Sequence, residues 1–226
     1  MIRISFFLIT IATVLTNLQA QTTKVVSKKF LALGDSYAIG ESVPEQDRWP
    51  EQLAAAFRAK GEGIEKPQII AVTGWRTDQL KKAVEEAHLK NEYGLVSLLI
   101  GVNNLYQNKL IETYALEFAE LLQTAVDLTG GKKENVFVVS IPDYGFTPFG
   151  KSKQTEISTA IDQYNNVNRE ITFRKGIKYI NVTDLSREGL ANPEYVAGDG
   201  LHPSGKMYSL WVERMLIALQ NSQQGK

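Results

Sequence analysis

Apolar residues along this chain fall into short, nearly unbroken runs, separated by longer stretches in which they recur every three or four positions. Five runs have the length and β-branched content of strands: Phe30–Leu33, Gln68–Val72, Leu95–Ile100, Val136–Ile141 and Lys178–Val182. A strand with one wet face alternates apolar and polar residues, whereas a continuous run buries both faces, as in a parallel sheet covered by helices on each side.

The intervening stretches supply those helices. Ile157, Ile161, Tyr164, Val167 and Ile171 share one helical face, with Gly176 placed to stop the helix. Region 104–128 and Met207–Leu219 repeat the pattern. Strands alternating with helices predict an α/β protein, a three-layer α/β/α sandwich of about five parallel strands. No internal repeat, low-complexity tract or linker divides the chain, so residues 28–226 are expected to form one domain.

The N-terminus has a different pattern. Arg3 precedes an apolar stretch from Ile4 to about Leu15, and Ala20 stands before a plausible cleavage point. Residues 1–20 therefore read as a signal peptide and 21–27 as a lead-in, giving a secreted or periplasmic protein. The apolar run falls short of the ~20 residues that span a bilayer, and no cysteine stands at the boundary to carry a lipid. No stable membrane anchor is expected after cleavage.

Composition narrows the chemistry. Basic and acidic residues balance at 25 each, so there is no cationic excess to gather phosphates, and nucleic acid is not an expected partner. Cysteine is absent, which removes disulfides, thiolate nucleophiles and Cys-ligated metals. Histidine occurs only at positions 88 and 202. No metal-ligand spacing emerges around either, and neither a dinucleotide fingerprint nor a P-loop occurs, so no metal and no cofactor is expected.

Open α/β sheets bind ligands at the carboxyl ends of their strands. The segments that follow the first four predicted strands read GDSYAIGE, TGWRTD, GVNN and IPDYG, and DGLHP precedes the last helix. A serine hydroxyl becomes a useful nucleophile only with a base to take its proton and donors to hold the resulting oxyanion. Ser36 follows the first strand directly, behind Gly34 at a tight turn. His202 lies on a loop, and Asp199, three residues earlier, is within reach of its Nδ1, leaving Nε2 free as a base. Taken singly, Ser36 also fits a helix cap, Asn103 a turn and Gly74 a strand stop. His88 borders the stripe Leu80, Ala83, Val84 and Ala87 and reads as a helix-surface residue.

The four blocks Gly34-Asp35-Ser36-Tyr37, Gly74, Gly101-Val102-Asn103-Asn104 and Asp199-Gly200-Leu201-His202-Pro203, in this order, resemble those of the SGNH hydrolases of the GDSL esterase and lipase group. The resemblance spans nearly all of the chain beyond residue 27. It implies a flavodoxin-like SGNH fold with Ser36 as nucleophile, His202 as base and then acid, and Asp199 as its orienter. It also implies an oxyanion hole of the Ser36 and Gly74 N–H groups with the Asn103 amide. Asn104 stands where the family often has an acidic residue. Asp35 reads as a structural residue of the turn.

Tyr37, Trp75, Asn104, Tyr106, Asp143 and Tyr144 lie in or beside these loops and are candidates for substrate contact, Trp75 foremost because it adjoins Gly74. The expected substrate is a small-molecule, lipid or carbohydrate ester, with small acyl or acetyl esters preferred. Cleavage of longer acyl chains from lysophospholipids or thioesters, and a non-catalytic carbohydrate-binding module on the same scaffold, are the alternatives.

Overall fold

A computed structural model describes residues 27–220. The predicted signal peptide therefore lies outside the described residues. Five strands form one parallel sheet: β1 (Phe30–Gly34), β2 (Gln68–Ala71), β3 (Leu95–Leu99), β4 (Val136–Val139) and β5 (Lys178–Ile180), in spatial order β2-β1-β3-β4-β5. Every pairing is parallel, with Gly34 level with Ala71 on one side and Leu99 on the other. All five runs predicted as strands are strands, each ending up to two residues from its expected limit.

The three central strands are buried along their whole length, as their unbroken apolar runs require. β2 departs from the expectation of cover on both faces. It is an edge strand whose residues are exposed or half-buried, and Val72 beyond it is 45% exposed.

Helices α2 (Trp49–Ala59) and α8 (Gly205–Gln220) pack together against one face. Trp49 meets Phe30 and Phe137 there at ring-centroid distances of 6.4 and 6.3 Å. Helices α3 (Thr77–Glu86), α5 (Ile111–Leu128) and α6 (Gln154–Arg174) cover the other face, where Tyr114 stacks 4.7 Å from Tyr164. Gly176, at φ +69°, follows the end of α6 as expected. Region 104–128 is not one helix. A short α4 (Val102–Tyr106) precedes α5, and the chain turns between them through Asn108 at φ +53°. Two further short helices, α1 (Ser36–Ile39) and α7 (Thr183–Ser186), follow β1 and β5.

Candidate active site

The site begins where β1 ends. A Cβ on Gly34 would lie 2.4 Å from the Leu99 carbonyl oxygen and 2.8 Å from the Ala38 Cβ, so only glycine lets β1 and β3 close up beneath the turn. Asp35 then caps α1, its carboxylate accepting from the Tyr37 N–H at 3.1 Å. Burial pushes this carboxyl up to about 7, against the opposing pull of the Tyr37, Asp35 and Gly101 backbone N–H groups. Asp35 is thus the structural residue of the turn that the sequence suggested. The Tyr37 carbonyl accepts from Trp49 Nε1 at 3.0 Å and from the Tyr208 hydroxyl at 3.3 Å, which fastens α1 to α2 and α8. Ser36 occupies the first position of this pinned turn, where a backbone N–H has no helical partner.

His202 arrives from the loop before α8. The loop is closed by the Ala197 N–H donating to the His202 carbonyl at 2.7 Å and by a bridge between Val196 and Pro203. Within it, Asp199 Oδ1 accepts the Leu201 and His202 N–H groups at 2.9 and 3.0 Å, while Oδ2 lies 2.7 Å from His202 Nδ1. Burial raises the Asp199 carboxyl, but hydrogen bonds from Ser42, the His202 ring and these two amides outweigh it and hold the group well below the usual carboxylate range. An acceptor at Nδ1 selects the tautomer whose Nε2 is free to take a proton. The imidazole is buried, with its ring 5.6 Å from that of Tyr37 in an edge-on arrangement.

The second and third motifs meet each other. Gly74 sits at φ +83°, a conformation that side chains disfavour, and its carbonyl accepts from Gln107 Nε2 at 3.0 Å. Asn103 Nδ2 donates to the Trp75 carbonyl at 3.1 Å. A primary amide has two N–H donors, so this bond orients Asn103 and leaves a second donor available.

Ser36, Gly74, Asn103 and His202 line one cavity of about 190 Å³. Tyr37, Tyr106 and Tyr144 line it too, as does Phe149, which the sequence reading missed. Tyr106, Tyr144 and Phe149 form a mutual aromatic cluster with centroids 6.4–6.5 Å apart, and Tyr106 and Phe149 are more than half exposed. Phe149 reaches the site because its N–H donates to the Gly200 carbonyl at 3.0 Å, a pairing that the PDYGFTPFG segment does not advertise.

Three substrate-contact candidates lie elsewhere. Trp75 packs half-buried against the core and offers the site its carbonyl, which is already bonded to Asn103. Asn104 is buried and clamps Thr77, accepting from its N–H at 3.1 Å and donating to its hydroxyl at 2.7 Å, so it joins α4 to the start of α3. Asp143 is also buried, capping the next turn through the Gly145 N–H and pairing with Arg187 Nε at 2.9 Å. It faces a small cleft that shares Tyr37, Tyr144 and His202 with the main cavity. His88 is exposed just past α3, at φ +45°, away from these groups. Among the described residues no group of His, Asp and Glu is arranged to hold a metal ion.

Known proteins share both the pattern and the architecture. The GDSL-like lipase/acylhydrolase family matches residues 32–210. No curated protein matches the chain. The esterase EstA from Pseudoalteromonas sp. superimposes with a TM-score of 0.63 at 14% identity, covering 88% of this chain and 100% of its own. The acetylxylan esterase Axe2 from Geobacillus stearothermophilus gives 0.66 at 18% identity, covering 87% and 96%. A lipase/acylhydrolase from Enterococcus faecalis gives 0.65 at 20% identity, covering 86% and 96%. At these identities the structural likeness establishes the fold, and the family match, spanning most of the sequence, establishes kinship. This chain belongs to the GDSL-like lipase/acylhydrolase family and is a hydrolase of esters.

Proposed function

We propose that the protein is a secreted serine esterase for small acyl esters, with Ser36 as nucleophile, His202 as general base and Asp199 as the orienter of His202. The observation that carries this reading is the convergence of Ser36, Gly74, Asn103 and His202 on one cavity, with His202 Nδ1 already held by Asp199. The Ser36 Oγ attacks the ester carbonyl carbon while His202 Nε2 takes its proton. Negative charge gathers on the former carbonyl oxygen, where the Ser36 and Gly74 N–H groups and the free Asn103 N–H are the donors. Collapse breaks the carbon–oxygen bond, and His202 returns the proton to the departing alcohol. Water then attacks the acyl-serine, with His202 again as base, releasing a carboxylic acid and regenerating the hydroxyl.

The small acyl preference rests on the cavity itself. At about 190 Å³, with Tyr106, Tyr144 and Phe149 along its wall, it suits a short acyl group better than an extended chain. Secretion rests on the basic, apolar and small-residue order of residues 1–20.

The test is a panel of p-nitrophenyl acetate, p-nitrophenyl palmitate, acetylated xylo-oligosaccharide and lysophospholipid, assayed with the wild type and Ser36→Ala. Acetyl esters turned over by the wild type alone support the reading. Equal rates for the two proteins would remove the mechanism, and preference for palmitate or lysophospholipid would replace the substrate class. Export is checked by whether residues 1–20 carry a fused reporter across the membrane.

A further inference from the structure

One hydrogen bond at the site comes from a residue in none of the four motifs. Ser42 Oγ donates to Asp199 Oδ2 at 2.6 Å, across 157 positions of sequence. The acceptor is the same oxygen that holds His202 Nδ1. Ser42 also carries a positive φ of +64°, which residues with a Cβ adopt at a cost. It is exposed.

The loop that carries Ser42 is anchored at both ends of the site. The Glu41 N–H donates to the Ser36 carbonyl at 3.0 Å, and the Val43 N–H closes a turn onto the Gly40 carbonyl at 3.3 Å. The Glu41 carboxylate accepts from the Thr73 hydroxyl, beside Gly74. One short loop therefore touches the nucleophile's turn, the Gly74 loop and the histidine loop. Of these contacts, only the Ser42 hydroxyl reaches Asp199, the residue that orients His202.

From this geometry we infer that Ser42 is a positioning residue for the hydrolysis, acting through Asp199. The inference rests on the serine-esterase reading above. Asp199 Oδ1 is held by two backbone N–H groups, while Oδ2 has the imidazole and the Ser42 hydroxyl. With the hydroxyl present, Oδ2 is held from two directions and the carboxylate plane is set against His202. Without it, Oδ2 keeps the imidazole alone, and the carboxylate pivots more easily about its Oδ1 anchor. The imidazole is then held less firmly at the moment it must accept the Ser36 proton. Ser42 touches neither substrate nor the reacting atoms.

The experiment compares Ser42→Gly, Ser42→Asn and the parent, each also built into an Asp199→Ala background. Glycine removes the hydroxyl and suits the positive φ, so the variant is expected to melt no lower than the parent. Its kcat is expected to fall about tenfold, the scale of one lost charge-assisted hydrogen bond, with KM unchanged. Asparagine tolerates the same φ and keeps a donor, so it is expected to recover part of the loss. In the Asp199→Ala background, Ser42→Gly is expected to lower kcat no further, because the partner is already gone. A loss of equal size in both backgrounds, a loss confined to KM, or no loss in the parent background overturns the role of Ser42 alone. Turnover that survives Ser36→Ala overturns the esterase mechanism, and this role with it.

Discussion

Asn103 Nδ2 donates to the Trp75 carbonyl at 3.1 Å, and that bond ties α4, which follows β3, to the loop after β2. It aims a side-chain amide into the cavity while a backbone acceptor occupies one of its two donors. Asn103→Ala removes the free donor and leaves the Trp75 carbonyl unpaired. The expected result is a fall in kcat of ~100- to 1,000-fold with a small change in KM, because the amide binds charge that develops only in the transition state. Steady-state kinetics on p-nitrophenyl acetate check this, and an effect confined to KM would make Asn103 a ground-state contact.

Asp199 is held by four donors, and its depressed titration links the site to stability. A carboxyl whose folded pKa lies below its unfolded value stabilises the fold fully above the unfolded value, ~3.9, and loses that contribution as pH falls toward the folded one. The stability advantage of the parent over Asp199→Asn is therefore expected to shrink below pH ~4 and to stay constant above pH ~5. Urea unfolding between pH 3 and 7 measures it, and an advantage that grows on acidification would contradict the assignment. At neutral pH the same variant is expected to lose ~10- to 1,000-fold in kcat, since the amide no longer enforces the tautomer.

Asp35 works in the opposite sense. Its carboxyl is pushed up to about 7 from 3.8 by burial, so the folded protein binds a proton there that the unfolded chain has released. Stability is expected to decline as pH rises from about 4 to 7, with the cost fully present above that range. Asp35→Asn is expected to flatten this part of the curve, whatever its effect on absolute stability. An unchanged slope in chemical denaturation would show that the group ionises freely in the fold.

Gly34→Ala is expected to destabilise the protein by about 2–3 kcal/mol, because the added methyl meets the Leu99 carbonyl rather than a side chain that can swing away. A urea midpoint equal to that of the parent would refute the packing account.

The aromatic wall makes a specificity prediction. Phe149 is 52% exposed at the cavity and pairs with Tyr106 and Tyr144, so its loss opens the site without uncovering the core. Phe149→Ala is expected to raise the ratio of kcat/KM for p-nitrophenyl hexanoate over acetate by about tenfold, the scale of a few methylenes gaining room. A ratio that stays fixed would place the acyl group elsewhere.

Much of this architecture was legible in one dimension. Strand positions follow from runs such as Leu95–Ile100, since a segment buried on both faces has no place for polar residues. The four motifs were legible through their resemblance, in order, to the SGNH blocks, and their positions after successive strands agree with the convergence of strand ends in a parallel sheet. The Asp199–His202 pair is local, three residues apart, and needed only a turn to form.

Contacts between distant loops were not legible, because a side chain's direction depends on backbone angles and neighbours that no spacing encodes. Asn104 and Trp75 sit beside motif residues yet turn into the protein, one to bond Thr77 and the other to pack on the core. Ser42 and Phe149 lie outside the motifs yet reach the site, one through a backbone at φ +64° and the other through its bond to the Gly200 carbonyl. The sequence by itself determined the sheet, its helical cover and which loops gather around the cavity, because these depend on burial and on chain order. Only the tertiary structure decided which side chains within those loops face the cavity, because that choice is made by hydrogen bonds and packing between segments far apart in the chain.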